Sequence, residues 1–99
     1  MGNLATTYSA LGRLQDALAL QEEKLQFDRR VLTEDNPSLG LTLFNLCSIH
    51  AQLGNFLVAK ELVHEALRVW QASLPPSHPR IALAREHLQK IQEHLTHSV

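Results

Sequence analysis

Histidine and glutamate side chains near the carboxyl end of the chain have the types and spacing that could bind a metal ion. The chain has six histidines, and His87, His94 and His97 follow one another at offsets of seven and three, with Glu93 among them. On a helix these offsets bring the imidazoles close to one face. A structural zinc ion, however, needs about four ligands held by hydrogen-bonding neighbours, which a helix end that frays does not supply. We therefore predict no metal and no other cofactor.

No arrangement of residues typical of a catalytic site is recognisable in the sequence. His64 and Glu65 begin like the helix motif of zinc proteases, but Arg68 stands where the second histidine would be required. The chain has no glycine-rich phosphate loop and no serine or cysteine in the setting of an activated nucleophile. The sequence therefore predicts a protein that is not an enzyme.

Charge and composition argue against several classes of partner. Nine lysines and arginines face ten aspartates and glutamates, for a formal net charge of −1, so we expect no generic attraction to nucleic acid or to an anionic membrane. No apolar run approaches the roughly 20 residues that span a bilayer. A single cysteine, Cys47, excludes an internal disulfide and suits a reducing compartment. The expected location is the cytoplasm.

An internal repeat organises the elements that carry these side chains. One pattern occurs twice with a displacement of 42 residues (45 − 3), and the matched pairs are Asn3 and Asn45, Leu4 and Leu46, Ala5 and Cys47, Tyr8 and His50, Gly12 and Gly54, Ala17 and Ala59, and Pro37 and Pro79. A constant displacement is typical of stacked repeats, in which each unit buries its apolar face against a neighbour. Because Cys47 takes the place of Ala5, we interpret it as a small, buried and inert residue.

Apolar spacing and turn residues predict five helices. Their ranges are 1–11, 14–32, 37–53, 56–74 and 79–95. Gly12 and Gly54 end the first and third helices, since glycine takes a left-handed conformation at the least cost. Pro37 starts the third helix after an N-cap that is either Asp35 or Asn36.

The apolar stripes of the last two helices predict where the core lies. The fourth helix carries the largest apolar surface, including Trp70, and is expected to contact helices on both sides. The last helix has a narrower stripe, formed by Ile81, Ala84, Leu88, Ile91 and Leu95, which is typical of a capping helix with one face in water.

These residues resemble the tetratricopeptide repeat family. Each unit shows the Asn-Leu-small block, the Leu-Gly turn and a small residue five positions after the glycine, and the long period is similar to that of kinesin light chains. The resemblance implies an all-α fold, a right-handed α-solenoid of antiparallel helix pairs. The single domain of residues 1–99 would contain a first repeat over about 1–36, a second over about 37–78 and a capping helix over about 79–95.

The resemblance also implies a peptide-binding groove along the first helix of each pair. Carried over to this sequence, its polar positions are Asn3, Thr6, Asn45, Ser48, Gln52, His87 and Lys90, and its apolar floor is Leu41 and Phe44. An asparagine can offer a donor and an acceptor to a peptide backbone, although Asn3 and Asn45 could equally form hydrogen bonds within the helix stack. Since Lys90 is the one cation among these positions, we expect an uncharged or mixed peptide and not a clamped carboxylate.

Two functions fit this architecture. The first is a non-enzymatic adaptor or scaffold whose groove binds a peptide segment of another protein. The alternative is a self-association module, in which the N-terminal face of residues 1–32 packs against a second copy; the chain could also be part of a longer repeat array. A protein partner is expected in either case.

Overall fold

The computed structural model describes the backbone of residues 3–97 and the side chains of residues 12–96. The described residues form four helices and no strand: α1 (Asn3–Val31), α2 (Pro37–Gln52), α3 (Phe56–Ser73) and α4 (Pro79–His97). The predicted all-α class is confirmed. Neighbouring helices along the chain pack against each other, so α3 contacts both α2 and α4, as its large apolar surface predicts.

The connections before α2 and α4 are built in the same way. Asn36 is the N-cap of α2, and its Oδ1 accepts a hydrogen bond from the Ser38 N–H at 2.9 Å. Forty-two residues later, Nδ1 of His78 accepts one from the Arg80 N–H at 3.1 Å. In both connections the side chain satisfies a backbone donor that the first helical turn leaves without a partner. The period read from the sequence is therefore present in the hydrogen bonds.

Gly54 forms the predicted turn between α2 and α3. Its φ of 84° lies in the left-handed region that glycine adopts readily. The Gly54 N–H donates to the Ala51 carbonyl at 3.1 Å, and the Asn55 N–H donates to the His50 carbonyl at 2.8 Å. These two bonds make a Schellman motif, which satisfies carbonyls at the end of α2 and turns the chain back onto it.

The predicted break at Gly12 is wrong. Helix α1 runs without interruption from Asn3 to Val31, and Gly12 does not have a positive φ. Glycine permits a turn but does not impose one. Asn55, the N-cap of α3, follows Gly54, whereas the helix-forming residue Arg13 follows Gly12. The first predicted hairpin is therefore one helix of about 43 Å, against about 24 Å for α2.

Trp70 is the largest buried side chain of the core and fixes how α3 meets α2. It is 1% exposed, and its indole Nε1 donates to the Pro37 carbonyl at 3.1 Å. A β-carbon at Gly40 would overlap the indole, so glycine at that position lets α2 and α3 approach. The prediction that Trp70 belongs to the core is confirmed.

A polar cluster joins α1 to α2 at the position corresponding to this tryptophan. Asp28, the counterpart of Trp70, is 3% exposed and accepts hydrogen bonds from Thr42 at 2.7 Å and from Lys24 at 3.0 Å. Burial alone would raise the pKa of Asp28, but the hydrogen bonds from Thr42 and Lys24, with the Lys24 charge, lower it below its ordinary value. Helix α1 is thus joined to α2 by a charged contact as well as by apolar ones.

Helix α4 closes the stack with the predicted apolar stripe. Ile81, Ala84 and Ile91 are buried, and Leu88 and Leu95 pack against the same core cluster. Exposed residues such as Arg85, Glu86 and Gln89 lie between them. None of the helices in the described part of the chain combines the length and the apolar character that crossing a membrane requires.

Candidate functional site

An open groove lies between α2 and α4, with the start of α3 at one end. Its volume is about 420 Å³, and it is lined by Cys47, Ser48, Ala51, Gln52, Phe56, His87, Lys90, Ile91 and His94. Small and apolar side chains form its floor, and polar side chains form its edges. The first helix of the second predicted pair and the predicted capping helix supply the two sides of this groove.

The polar edges belong to two matching stripes, one on each helix, and each stripe begins with a leucine beyond the groove. On α2 the stripe consists of Leu41, Asn45, Ser48 and Gln52, and on α4 it consists of Leu83, His87, Lys90 and His94. Offsets of four, three and four place each set along one helix face. Each α4 residue follows its α2 counterpart by the repeat displacement. The two sides of the groove therefore present equivalent repeat positions in the same order along its length.

Two aromatic pairs fix α4 above the floor of the groove. The Phe44 ring meets the His87 imidazole edge-on, with centroids 4.7 Å apart, and also contacts Trp70 at 5.6 Å. At the other end, Phe56 stacks on His94 with centroids 4.5 Å apart and planes 6° apart. Both geometries are favourable for aromatic rings. The groove width is thus set by contacts that reach back into the core.

The groove carries little positive charge. Lys90 is the one lysine or arginine among its lining residues, and its ammonium lies 3.6 Å from the Glu86 carboxylate on an exposed part of α4. Burial lowers the pKa of His87, and the neighbouring Lys90 lowers it further, while Glu86 opposes the shift. The neutral imidazole of His87 therefore predominates at neutral pH. This electrostatic setting fits an uncharged segment better than a terminal carboxylate.

The structure brings part of the predicted site together. Ser48, Gln52, His87 and Lys90 line the groove. Leu41 and Asn45 continue the α2 stripe beyond it, with Leu41 39% exposed.

Asn45 and Phe44 take different places in this arrangement. No hydrogen bond joins the Asn45 side chain to another described residue. Phe44 packs behind His87 and Trp70, so it supports the α4 stripe from the core side. The backbone of Asn3 and Thr6 lies in α1, but both residues precede the range 12–96 over which side chains are described.

Sequence reasoning missed several residues of the groove and of its stripes. Leu83, 43% exposed, does not line the groove but continues the α4 stripe beyond it; it is the counterpart of Leu41 and can be found by adding the repeat displacement. The sequence pattern indicates His94 only as a possible metal ligand. Phe56 and Ile91 lie on the apolar faces of their helices, and no local signal shows that they also border an open groove. Their role depends on how α3 and α4 pack.

Catalytic and metal chemistry finds no further support in the described residues. Over residues 12–96, no group of three or more histidine, cysteine, aspartate or glutamate side chains could hold a metal ion. His97 lies outside that range. Cys47 is fully buried, and burial raises the pKa of its thiol to about 11, so the thiolate is scarce at neutral pH. The prediction of a buried cysteine is confirmed.

Comparison with protein families decides the identity of the repeat. A tetratricopeptide repeat model matches residues 1–38 and again residues 39–80. The chain belongs to the tetratricopeptide repeat family. Its repeats are of the kinesin-light-chain-like kind, as the sequence pattern predicts. A comparison with curated proteins found no match.

Membership of this family gives a coarse function. Tetratricopeptide repeats generally mediate contacts between proteins, and the family is a non-enzymatic repeat scaffold. Domains of this family bind protein partners.

Proposed function

We propose that this tetratricopeptide repeat chain is a non-enzymatic adaptor that binds a peptide segment of a partner protein in the groove between α2 and α4. The observation that carries the proposal is the pair of matching stripes, of which Ser48 and Gln52 on α2 and His87, Lys90 and His94 on α4 line a groove of about 420 Å³. A surface that places hydrogen-bonding side chains at intervals of three or four residues beside an apolar floor suits an extended chain, because successive backbone groups and side chains meet successive positions.

The lining residues define the chemistry of the expected peptide. An apolar side chain of the ligand would rest on the floor formed by Ala51, Phe56 and Ile91. The amide of Gln52 and, further along α2, that of Asn45 offer both a donor and an acceptor to backbone groups. Because Lys90 already lies near Glu86, a carboxylate would gain little from it. The proposal therefore names an extended, uncharged or mixed segment with one apolar anchor.

The test begins with peptides selected from a random-sequence display library on the purified chain. The best selected peptide is then titrated by fluorescence anisotropy against the parent chain and against Gln52→Ala and Asn45→Ala. Loss of one neutral hydrogen bond, about 0.5–1.5 kcal/mol, predicts affinity weakened roughly 2- to 10-fold.

Gln71→Ala is the matched control, because Gln71 is an exposed amide on α3 outside the groove. Unchanged affinity in both groove variants, or no selected peptide, would contradict the proposal.

A second candidate function is self-association through the N-terminal repeat face. The observation that favours it is the exposure of large apolar side chains along one stripe of α1, namely Leu20, Phe27 and Val31. They follow one another at offsets of seven and four, so they share a helix face that the described chain leaves open to solvent. Light scattering of the intact chain tests this candidate, since a monomer at every concentration would remove it.

A further inference from the structure

Leu20 and its counterpart in the second repeat have different surroundings. Leu62, which follows Leu20 by the repeat displacement, packs against the core cluster that contains Cys47. Leu20 is 65% exposed. In the second repeat, the turn at Gly54 folds α3 back onto α2, and Cys47 of α2 lies in the core that the two helices share. The segment of the first repeat that corresponds to α2 ends at Gly12 and carries Ala5 in the place of Cys47.

The continuous α1 prevents this segment from covering its own Leu20. Ala5 and Leu20 lie on one helix, and their fifteen-residue separation corresponds to about 22 Å along the axis. Because α1 is the longer helix and its end is joined to the start of α2 by a short connection, its first ten residues extend past the end of α2. The chain therefore contains both a segment that matches the open face and a geometry that separates the two.

We propose that two copies of the chain exchange these segments, so that residues 3–11 of one copy cover Leu20 of the other. The two α1 helices would then run antiparallel, with the two-fold axis between Gly12 and Arg13 and with Ala5 opposite Leu20 of the second copy. A Cβ at Gly12 would have open space around it, and glycine there lets the two backbones approach. Exchange of identical elements is a low-cost route to a dimer.

This inference rests on the self-association candidate and is independent of peptide binding in the groove. The proposed exchange specifies which residues of the two copies pair, whereas unspecific association through the exposed apolar residues of α1 would not. By the same antiparallel pairing, Phe27 lies beyond the reach of residues 3–11 of the second copy. Leu20→Asp should therefore shift the mass measured by light scattering from dimer to monomer. The matched variant Phe27→Asp adds the same charge to the same stripe, where the parent side chain is 59% exposed, and should leave the dimer intact.

Cross-linking between two different variants tests the exchange itself. One chain carries Ala5→Cys, the other carries Leu20→Cys, and the two are mixed, refolded together and oxidised. Cys47 is buried with a pKa of about 11, so it should stay unreactive. We expect a covalent heterodimer on a non-reducing gel, and none when Phe27→Cys replaces Leu20→Cys. A monomeric parent chain would remove self-association altogether. A dimer without the 5-to-20 cross-link would keep self-association and overturn the exchanged pairing.

Discussion

The region from α2 to α4 and the helix α1 descend from the same sequence pattern but fold differently. In the first region, Gly54 is left-handed, Asn55 begins the next helix and Trp70 is buried against Gly40. In α1, Gly12 is helical and Asp28 stands in the place of Trp70. In this chain, the Leu-Gly pair forms a turn where an N-cap residue follows it and where folding back buries apolar side chains.

The largest difference between the two regions should appear when a charge replaces a leucine. Leu46→Asp places a carboxyl group without a partner at a site that is 2% exposed in the core of the α2–α4 region. Even a neutral polar group buried without a hydrogen bond costs about 2–7 kcal/mol, and a charged one costs more. We expect loss of cooperative unfolding by circular dichroism. Leu20→Asp, on the exposed stripe of α1, should keep the α2–α4 region folded with Trp70 fluorescence unchanged. Equal loss of structure in both variants would contradict the comparison.

The two helical glycines should respond to alanine with opposite signs. At Gly40 a methyl group would overlap the buried Trp70 indole, so Gly40→Ala should lower the free energy of unfolding by about 1–3 kcal/mol. At Gly12 nothing within one copy lies within 4 Å of an added β-carbon, and the backbone is helical. In a Leu20→Asp background, which keeps the chain monomeric, Gly12→Ala should therefore raise the free energy of unfolding by about 0.4–1 kcal/mol. Chemical denaturation measures both changes. A destabilising Gly12→Ala in that monomeric background would indicate that Gly12 forms a turn.

The contact between α1 and α2 should weaken in acid because it depends on a carboxylate. The pKa of Asp28 is lowered in the folded chain, so the unfolded chain binds the proton more tightly and stability rises with pH through this range. The contribution is complete above the ordinary aspartate pKa and is lost as pH falls through the lowered one.

Asp28→Asn should reduce stability near neutral pH by about 1.5–3 kcal/mol, the usual loss for hydrogen bonds to a charged group, and flatten the acid limb of the stability curve. Asp16→Asn, an exposed carboxylate on the same helix, is the control. Urea midpoints measured across acidic pH would contradict this account if both variants followed the same curve.

The elements that local chemistry specifies could be predicted from the sequence. Pro37 and Pro79 each predict a helix start, and both helices begin there with a side-chain cap, from Asn36 and from His78. The apolar stripe of α4 also predicts which of its residues are buried. These features depend on neighbours a few positions away, so their signal is contained in the pattern.

The features that sequence reasoning missed depend on distant packing. Gly40 faces Trp70, thirty residues away, and nothing near Gly40 indicates that contact. Lys24 stands where the second repeat has the small residue Ala66, and it donates to Asp28 and Thr42. That pairing is visible only once α1 and α2 are placed together. One local feature favours a straight α1 through Gly12: Arg13 stands in the place of the N-cap residue Asn55. The match between Gly12 and Gly54 nevertheless predicts a turn at both positions.

The continuity of α1 is the central claim, and a distance between two spin labels tests it most directly. Nitroxides at Thr6→Cys and Gln26→Cys, in a Cys47→Ala background and diluted with unlabelled chain, report the separation within one copy. A straight helix predicts about 30 Å along its axis, at 1.5 Å for each of the intervening residues. A separation of about 15 Å, the value for two antiparallel helices joined by a turn at Gly12, would contradict the account.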